Sequence, residues 1–288
     1  MKEIASVEKY KKKRYLTNGT KEFLLLISII LILLPFLWAI VLSFKNNSEI
    51  LSGTLSFPEV IRWENYEKAW ETIDFFVLVK NTLIISVVAI SISIAINILS
   101  SYAISRMDFG TGKLQKIFYV YFIIGLLVPV FVLIYPVFVM NSAIGTIDSL
   151  WAVILPYIGW SAPMNTLLLV GAFKTIPKSL EEAAVIDGCS PWKILWKVDM
   201  PIVRSAIITA ITIQFLGTWN EFAVSVVMLT SPEVQTISLA ASKFVGIHNT
   251  DFGAMAAAVV ILSIPQVIAF TYFQKFIVAD MTAGSVKG

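Results

Sequence analysis

At 288 residues, with a mean hydropathy of +0.81 and only 14% charged side chains, the chain is too apolar for a water-soluble domain, in which about a quarter of residues carry charge. Lipid is the solvent that accepts so much apolar surface. The net charge of +3 is small and tracks membrane topology, so it implies no nucleic-acid partner. The single cysteine, Cys189, excludes a disulfide within the chain.

Residues 1–22 make a basic segment containing "KYKKKRYLTNGTKE". With Tyr10 and Tyr15 interleaved, it reads either as a strip for the anionic inner leaflet or as a plain topogenic flank. Six apolar runs of spanning length follow, at 23–44, 82–105, 117–140, 150–173, 205–229 and 254–277. The first exceeds the length of a signal-peptide core and no small-residue cleavage site follows it, so it is expected to be a retained span.

The outside segment 45–81 holds a short helix predicted at 64–72. Trp63, Tyr66 and Trp70 there suit an interface, either as a docking surface for an outside partner or as a linker lying along the bilayer. The second run, "TLIISVVAISISIAINILSSYAIS", is rich in Ser and Ala and is expected to face other helices. Pro129, Pro136, Pro156, Pro163 and Pro265 fall within runs, where neighbours or water must satisfy the carbonyls they free. With the N-terminus inside, only Lys45, Arg62, Lys68, Lys80 and Lys243 of the 22 basic residues lie outside, which predicts both termini in the cytoplasm. The C-terminal tail is 278–288.

No catalytic constellation emerges. "FGTGKLQ" has Met107 and Leu114 where a phosphate-binding loop needs glycine and Ser or Thr, so the backbone cradle and the magnesium-binding hydroxyl are both missing. His248 is the only histidine, and with one cysteine it makes no metal set. One acid lies inside an apolar run, Glu221 in "FLGTWNEFAVSVVML". An ionised acid in a membrane helix faces a bundle interior or a wet cavity. Trp219, Asn220 and Glu221 together suit a sugar, whose ring stacks and whose hydroxyls need partners; an interhelical hydrogen bond is the other reading.

The polar stretch "SLEEAAVIDGCSPWKILWKVDMP" separates two apolar runs. Ser179 and Glu182 fit a capping box, Gly188 a left-handed helix stop, and Ser190 with Pro191 a fresh start. Pro201 is expected to end the second short helix. Its first helix is expected to expose Ala183 and Ala184 beside Glu181, Glu182 and Asp187, and its second to carry Trp192, Leu195 and Trp196. So much specification suits a docking surface; a helix pair lying under the bilayer is the alternative.

That stretch resembles the E-A-A motif of ABC importer permeases. "SAPMNTLLLVGAFKTIPKSL", "GTWNEF", "SYAISRMDFGTGKL" and "MTAGSVKG" are similar to the carbohydrate-importing branch, in particular the second permease of the maltose type. The resemblance implies an all-α membrane protein with six transmembrane helices, the type I ABC importer permease fold, and a coupling helix in the loop 174–204. It implies ATPase docking by Glu181, Glu182, Ala183, Ala184, Asp187 and Gly188, a tail at Ala283, Gly284 and Gly288 reaching the ATPase pair, and a substrate route past Trp219, Asn220 and Glu221.

It further implies a non-catalytic subunit without cofactors, with ATP and Mg bound by two partner ATPases. The remaining partners are a homologous permease forming a heterodimer, an extracytoplasmic solute-binding protein and a sugar or polyol substrate, all at a bacterial plasma membrane. Pro191, Asp199 and Ser205 depart from the usual pattern and bear on the shape of the second short helix. A self-sufficient secondary transporter or channel is the rival, although the paired half-helix signature of secondary transporters is not evident.

Overall fold

The computed structural model describes the backbone of residues 2–110, 112–246 and 249–285, and side chains within 21–272. Thirteen α-helices are present among them: α1 (Lys2–Ser43), α2 (Asn47–Leu51), α3 (Glu64–Thr72), α4 (Phe75–Arg106), α5 (Lys113–Ile123), α6 (Val130–Ala143), α7 (Trp151–Lys174), α8 (Lys178–Ile186), α9 (Pro191–Ile194), α10 (Met200–Ile202), α11 (Arg204–Trp219), α12 (Ser225–Met228) and α13 (Phe252–Ser285). The interfacial helix predicted at 64–72 is α3, residue for residue. His248 lies outside the described residues.

Among the described residues, four helices are long and apolar enough to cross a membrane, or up to six if each bent pair counts as one span. Two of the predicted runs are not straight. The run 117–140 breaks into α5, a short 3-10 turn and α6, bent by 101°. Pro129 causes the break: the residue before a proline is pushed out of the helical region, and Val128 is extended at φ −91° and ψ 115°. The run 205–229 leaves its helix at Trp219, so α11 has only 16 residues, about 24 Å of rise.

The chain divides into two compact units, residues 1–72 with 244–261 and residues 73–243 with 262–288. In the first, Phe44, Trp63 and Tyr66 form an aromatic cluster with ring centroids 5.0 to 5.9 Å apart. Asn65 donates from Nδ2 to the carbonyls of Ser43 and Lys45, both at 2.8 Å, which fixes α3 against the end of α1.

The second unit is built on α4, α7 and α11, which pack on one another. Ser86, Ser93, Asn97 and Ser101 recur along one face of α4 and are all buried, as the Ser- and Ala-rich sequence predicts; small side chains let backbones approach where lipid supplies no hydrophobic drive. Gln214 of α11 ties the three helices together. Its Oε1 accepts from Ser93 Oγ at 2.8 Å and from Asn165 Nδ2 of α7 at 3.2 Å. Around it pack Ile90, Ile94, Leu169, Ala210 and Phe215. Gly125 lets the 3-10 turn approach α7, since a Cβ there would meet Pro163 Cγ at 2.6 Å.

Gln214→Leu takes from the Ser93 hydroxyl and the Asn165 amide their shared acceptor at a buried helix junction, leaving Ser93 the Ile90 carbonyl. The expected loss is about 1 kcal/mol, read by unfolding in mixed detergent micelles. Adding Ser93→Ala should cost less than the sum of the two single changes, because the partners are shared.

Candidate functional site: the α7–α11 loop

The loop begins where α7 ends. Pro177, at φ −59° and ψ 129°, precedes α8, and no side chain caps the helix start. The capping box expected of Ser179 and Glu182 does not form: Pro177 starts the helix at Lys178, so Ser179 is already helical and its hydroxyl is no longer in the N-cap position. The stop is as the sequence predicts. Gly188 takes φ +76°, the Cys189 N–H donates to Ala184 O and the Gly188 N–H to Val185 O, both at 2.9 Å, which is the Schellman arrangement. Ser190 then accepts from the Lys193 N–H at 3.4 Å, with Pro191 in the first helical turn.

Pro201 does not end the second segment. Residues Leu195–Asp199 form a π-helical turn, with the Met200 N–H donating to Leu195 O. The wider turn relieves the clash a proline ring makes with the carbonyl four residues back. The helix therefore runs on to Ile202, and the chain bends by 76° into α11. We read the arm from Pro191 to Ile202 as loop, because it carries Lys193, Lys197 and Asp199.

One side of the loop is anchored. Arg106, in the last turn of α4, donates from Nη2 to the carbonyls of Phe173 and of Ile176, the latter at 2.7 Å, and so satisfies the open end of α7. Its Nε lies 3.1 Å from Glu181 Oε1, with both side chains largely out of solvent. Tyr102, one turn earlier on α4, donates to Pro191 O at 3.4 Å and meets the Phe173 ring edge-on. Ala184, Ile194, Leu195 and Val203 are buried on the same side. Asp199 is fully buried there, and neither of its oxygens meets a hydrogen-bond donor. Burial, the Glu181 charge and the hydrogen bond that only its protonated form can give to Glu181 push its carboxyl up to about 6, against the opposing pull of Arg106.

The other side is open. Glu182, Ala183, Val185, Asp187 and Gly188 are exposed, Ile186 is 86% exposed, and Trp192 and Trp196 stand 59% and 45% exposed with their rings edge-to-face at 5.7 Å. The expected set thus divides: Glu181 and Ala184 face the chain's own helices, while Glu182, Ala183, Asp187 and Gly188 face out. Sequence reasoning missed Arg106, although "SYAISR" puts a lone cation at a span end, where it meets open helix carbonyls.

The residues expected along a substrate route are not brought to one surface. Trp219 is 3% exposed and packs on Phe215 with ring centroids 5.2 Å apart. Glu221 is 7% exposed. Its carboxylate accepts from the Val224 and Ser225 N–H groups at 2.6 and 2.9 Å and from the Ser225 hydroxyl, holding the start of α12. Asn220 is exposed, and its Oδ1 accepts from Gln266 Nε2 of α13 at 3.1 Å; Gln266 was not foreseen. Ala283 and Gly284 fall within α13, and Gly288 lies outside the described residues.

An all-helical chain with four to six candidate spans among its described residues and an amphiphilic helical loop between two of its core helices is a multi-pass membrane protein. Residues 107–283 match the family described as "Binding-protein-dependent transport system inner membrane component", and the chain belongs to that family. It is therefore a permease subunit of an ABC importer, non-catalytic itself, with ATP handled by ATPase partners.

Among its relatives, the trehalose/maltose transport system permease protein MalG of Thermococcus litoralis is 32% identical, covering 93% of this chain and 98% of the relative. The diacetylchitobiose uptake system permease protein NgcG of Streptomyces coelicolor is 30% identical over 92% of this chain and 87% of the relative. A chain of a bacterial ABC transporter importing the acidic polysaccharide alginate superposes with a TM-score of 0.73 at 20% identity, covering 90% of this chain and 96% of that one. A chain of the methionine transporter MetNI gives 0.56 at 18% identity, over 71% and 93%. Both share the fold.

Arg106→Ala removes the cap on α7 and leaves Glu181 without its cation. The expected cost is about 3 kcal/mol, with proteolysis appearing first between Lys178 and Lys197. Arg106→Lys, which keeps the charge but loses the fork, should fall between the two.

Proposed function

We propose that this chain imports an oligosaccharide or a related sugar or polyol, as one of two homologous permeases working with two ATPases and an extracytoplasmic solute-binding protein. Both termini lie in the cytoplasm, as the distribution of basic residues favours, and the membrane is a bacterial plasma membrane. The relatives named for diacetylchitobiose and for trehalose and maltose support the substrate class.

The loop between α7 and α11 is the coupling helix pair. The observation that carries this reading is its two-sidedness: Arg106 and Glu181 pin one side, while Trp192, Trp196 and Ile186 stand in the open on the other. Exposed apolar side chains on a specified scaffold mark a docking surface. Glu182, Ala183, Asp187 and Gly188 form its polar part, and Glu181 and Ala184 hold it in place. The tail at Ala283, Gly284 and Gly288 reaches the ATPase pair.

Along the route, Asn220 with Gln266 offers an amide pair to sugar hydroxyls, while Trp219 and Glu221 shape the break after α11 that presents Asn220. A self-sufficient transporter or channel needs no such docking face, and its uptake would not depend on ATP.

Glu182→Lys reverses a charge on the open face of α8 and touches no residue of the α4–α7–α11 core. Uptake by the reconstituted complex should fall by at least about tenfold, the equivalent of about 1.4 kcal/mol in coupling, while membrane insertion stays normal. Asn220→Ala should instead change substrate preference and leave ATPase association intact. Wild-type uptake in the Glu182→Lys protein would count against coupling through this loop.

A further inference from the structure

Asp199 is the one acid in the loop that the docking reading does not use. It sits in the π-helical turn, fully buried, with both carboxyl oxygens unmet by any N–H or hydroxyl. An ionised carboxylate in that setting is strongly disfavoured. The charged and titratable groups facing it are Tyr102 and Arg106 from α4 and Glu181 from α8. Arg106 is already committed to Glu181 and to the carbonyls ending α7. One guanidinium therefore stands against two carboxyl groups.

We propose that Asp199 is a positioning residue that carries a proton and donates it to Glu181, so that α8 is clamped to the π-helical turn in the protonated state and loosened when that proton leaves. The balance is simple: the proton sits on an Asp199 oxygen, the hydrogen bond points to a Glu181 oxygen, and deprotonation passes the proton to solvent and leaves two like charges around Arg106. The sign follows from the raised affinity of Asp199 for its proton. The clamp is complete below the ordinary aspartate value near 4 and is lost as pH rises through about 6. Glu181 also anchors the docking face through α8, so cytoplasmic pH sets the stiffness of that face. The inference concerns contacts within this chain and holds whether or not an ATPase docks.

The test uses the only cysteine, Cys189, which lies between α8 and α9. A nitroxide attached there, on the full chain in lipid nanodiscs, reports loop mobility by electron paramagnetic resonance. For the wild type, the mobile fraction should rise with pH through a midpoint well above that of an ordinary aspartate. Asp199→Asn keeps a donor towards Glu181 and has no proton to lose, so its spectrum should stay in the immobile form at every pH.

Glu181→Gln removes the like charge and should move the midpoint down by at least about one pH unit. A wild-type spectrum unchanged from about pH 5 to about pH 8, a range that brackets a raised carboxyl, would overturn the proposal. So would an Asp199→Asn protein that titrates like the wild type, or a Glu181→Gln midpoint that does not move. If Asp199→Asn fails to insert, the Glu181→Gln midpoint decides.

Discussion

Arg106 is the side chain on which the loop end of the α4–α7–α11 bundle depends. A long membrane helix that ends without a glycine stop leaves carbonyls needing donors, and α7 ends on Lys174 and Thr175 with only short-range turns behind it. A single guanidinium reaches the carbonyls of Phe173 and Ile176 and still brings its charge within 3.1 Å of Glu181. The planar fork makes this possible; an ammonium has neither the geometry nor the reach. One residue of α4 therefore fixes both the end of α7 and the start of the loop that follows it.

From that anchor the two-sidedness of the loop follows. With Glu181, Ala184, Ile194 and Leu195 turned inward, the helical period sends Glu182, Val185, Ile186, Trp192 and Trp196 outward. A loop held on one side is tied to all three helices, because Arg106 belongs to α4, the contacted carbonyls to the end of α7 and the turn just after it, and the π-helical turn leads through α10 to α11. The Gln214 junction, linking Ser93 and Asn165, couples the same three helices deeper in the bundle.

The sequence is most legible where local chemistry decides. Gly188, Ser190 with Pro191, and the helix at 64–72 are set by backbone preferences and neighbours in sequence, and they stand where those rules put them. The six apolar runs are visible for the same reason, since lipid tests each segment almost separately. What hydropathy cannot see is a break inside an apolar run. The bend at Val128 and Pro129 and the helix end at Trp219 leave composition unchanged, so a window average passes over both.

The site is harder to read because it is tertiary. Nothing in "SLEEAA" distinguishes Glu181 from Glu182 until Arg106 arrives from a residue far earlier in the chain. Likewise, the pairing of Asn220, just past α11, with Gln266 of α13 joins distant parts of the chain, and the hold of the Glu221 carboxylate on the start of α12 is not visible in its composition. The measurement that most directly tests the account is a gentle detergent pull-down of the tagged chain from its native membranes, followed by mass spectrometry. The account predicts recovery of an ATPase and a second permease of similar size. Recovery of this chain alone, under conditions that preserve other ABC importers, would contradict it.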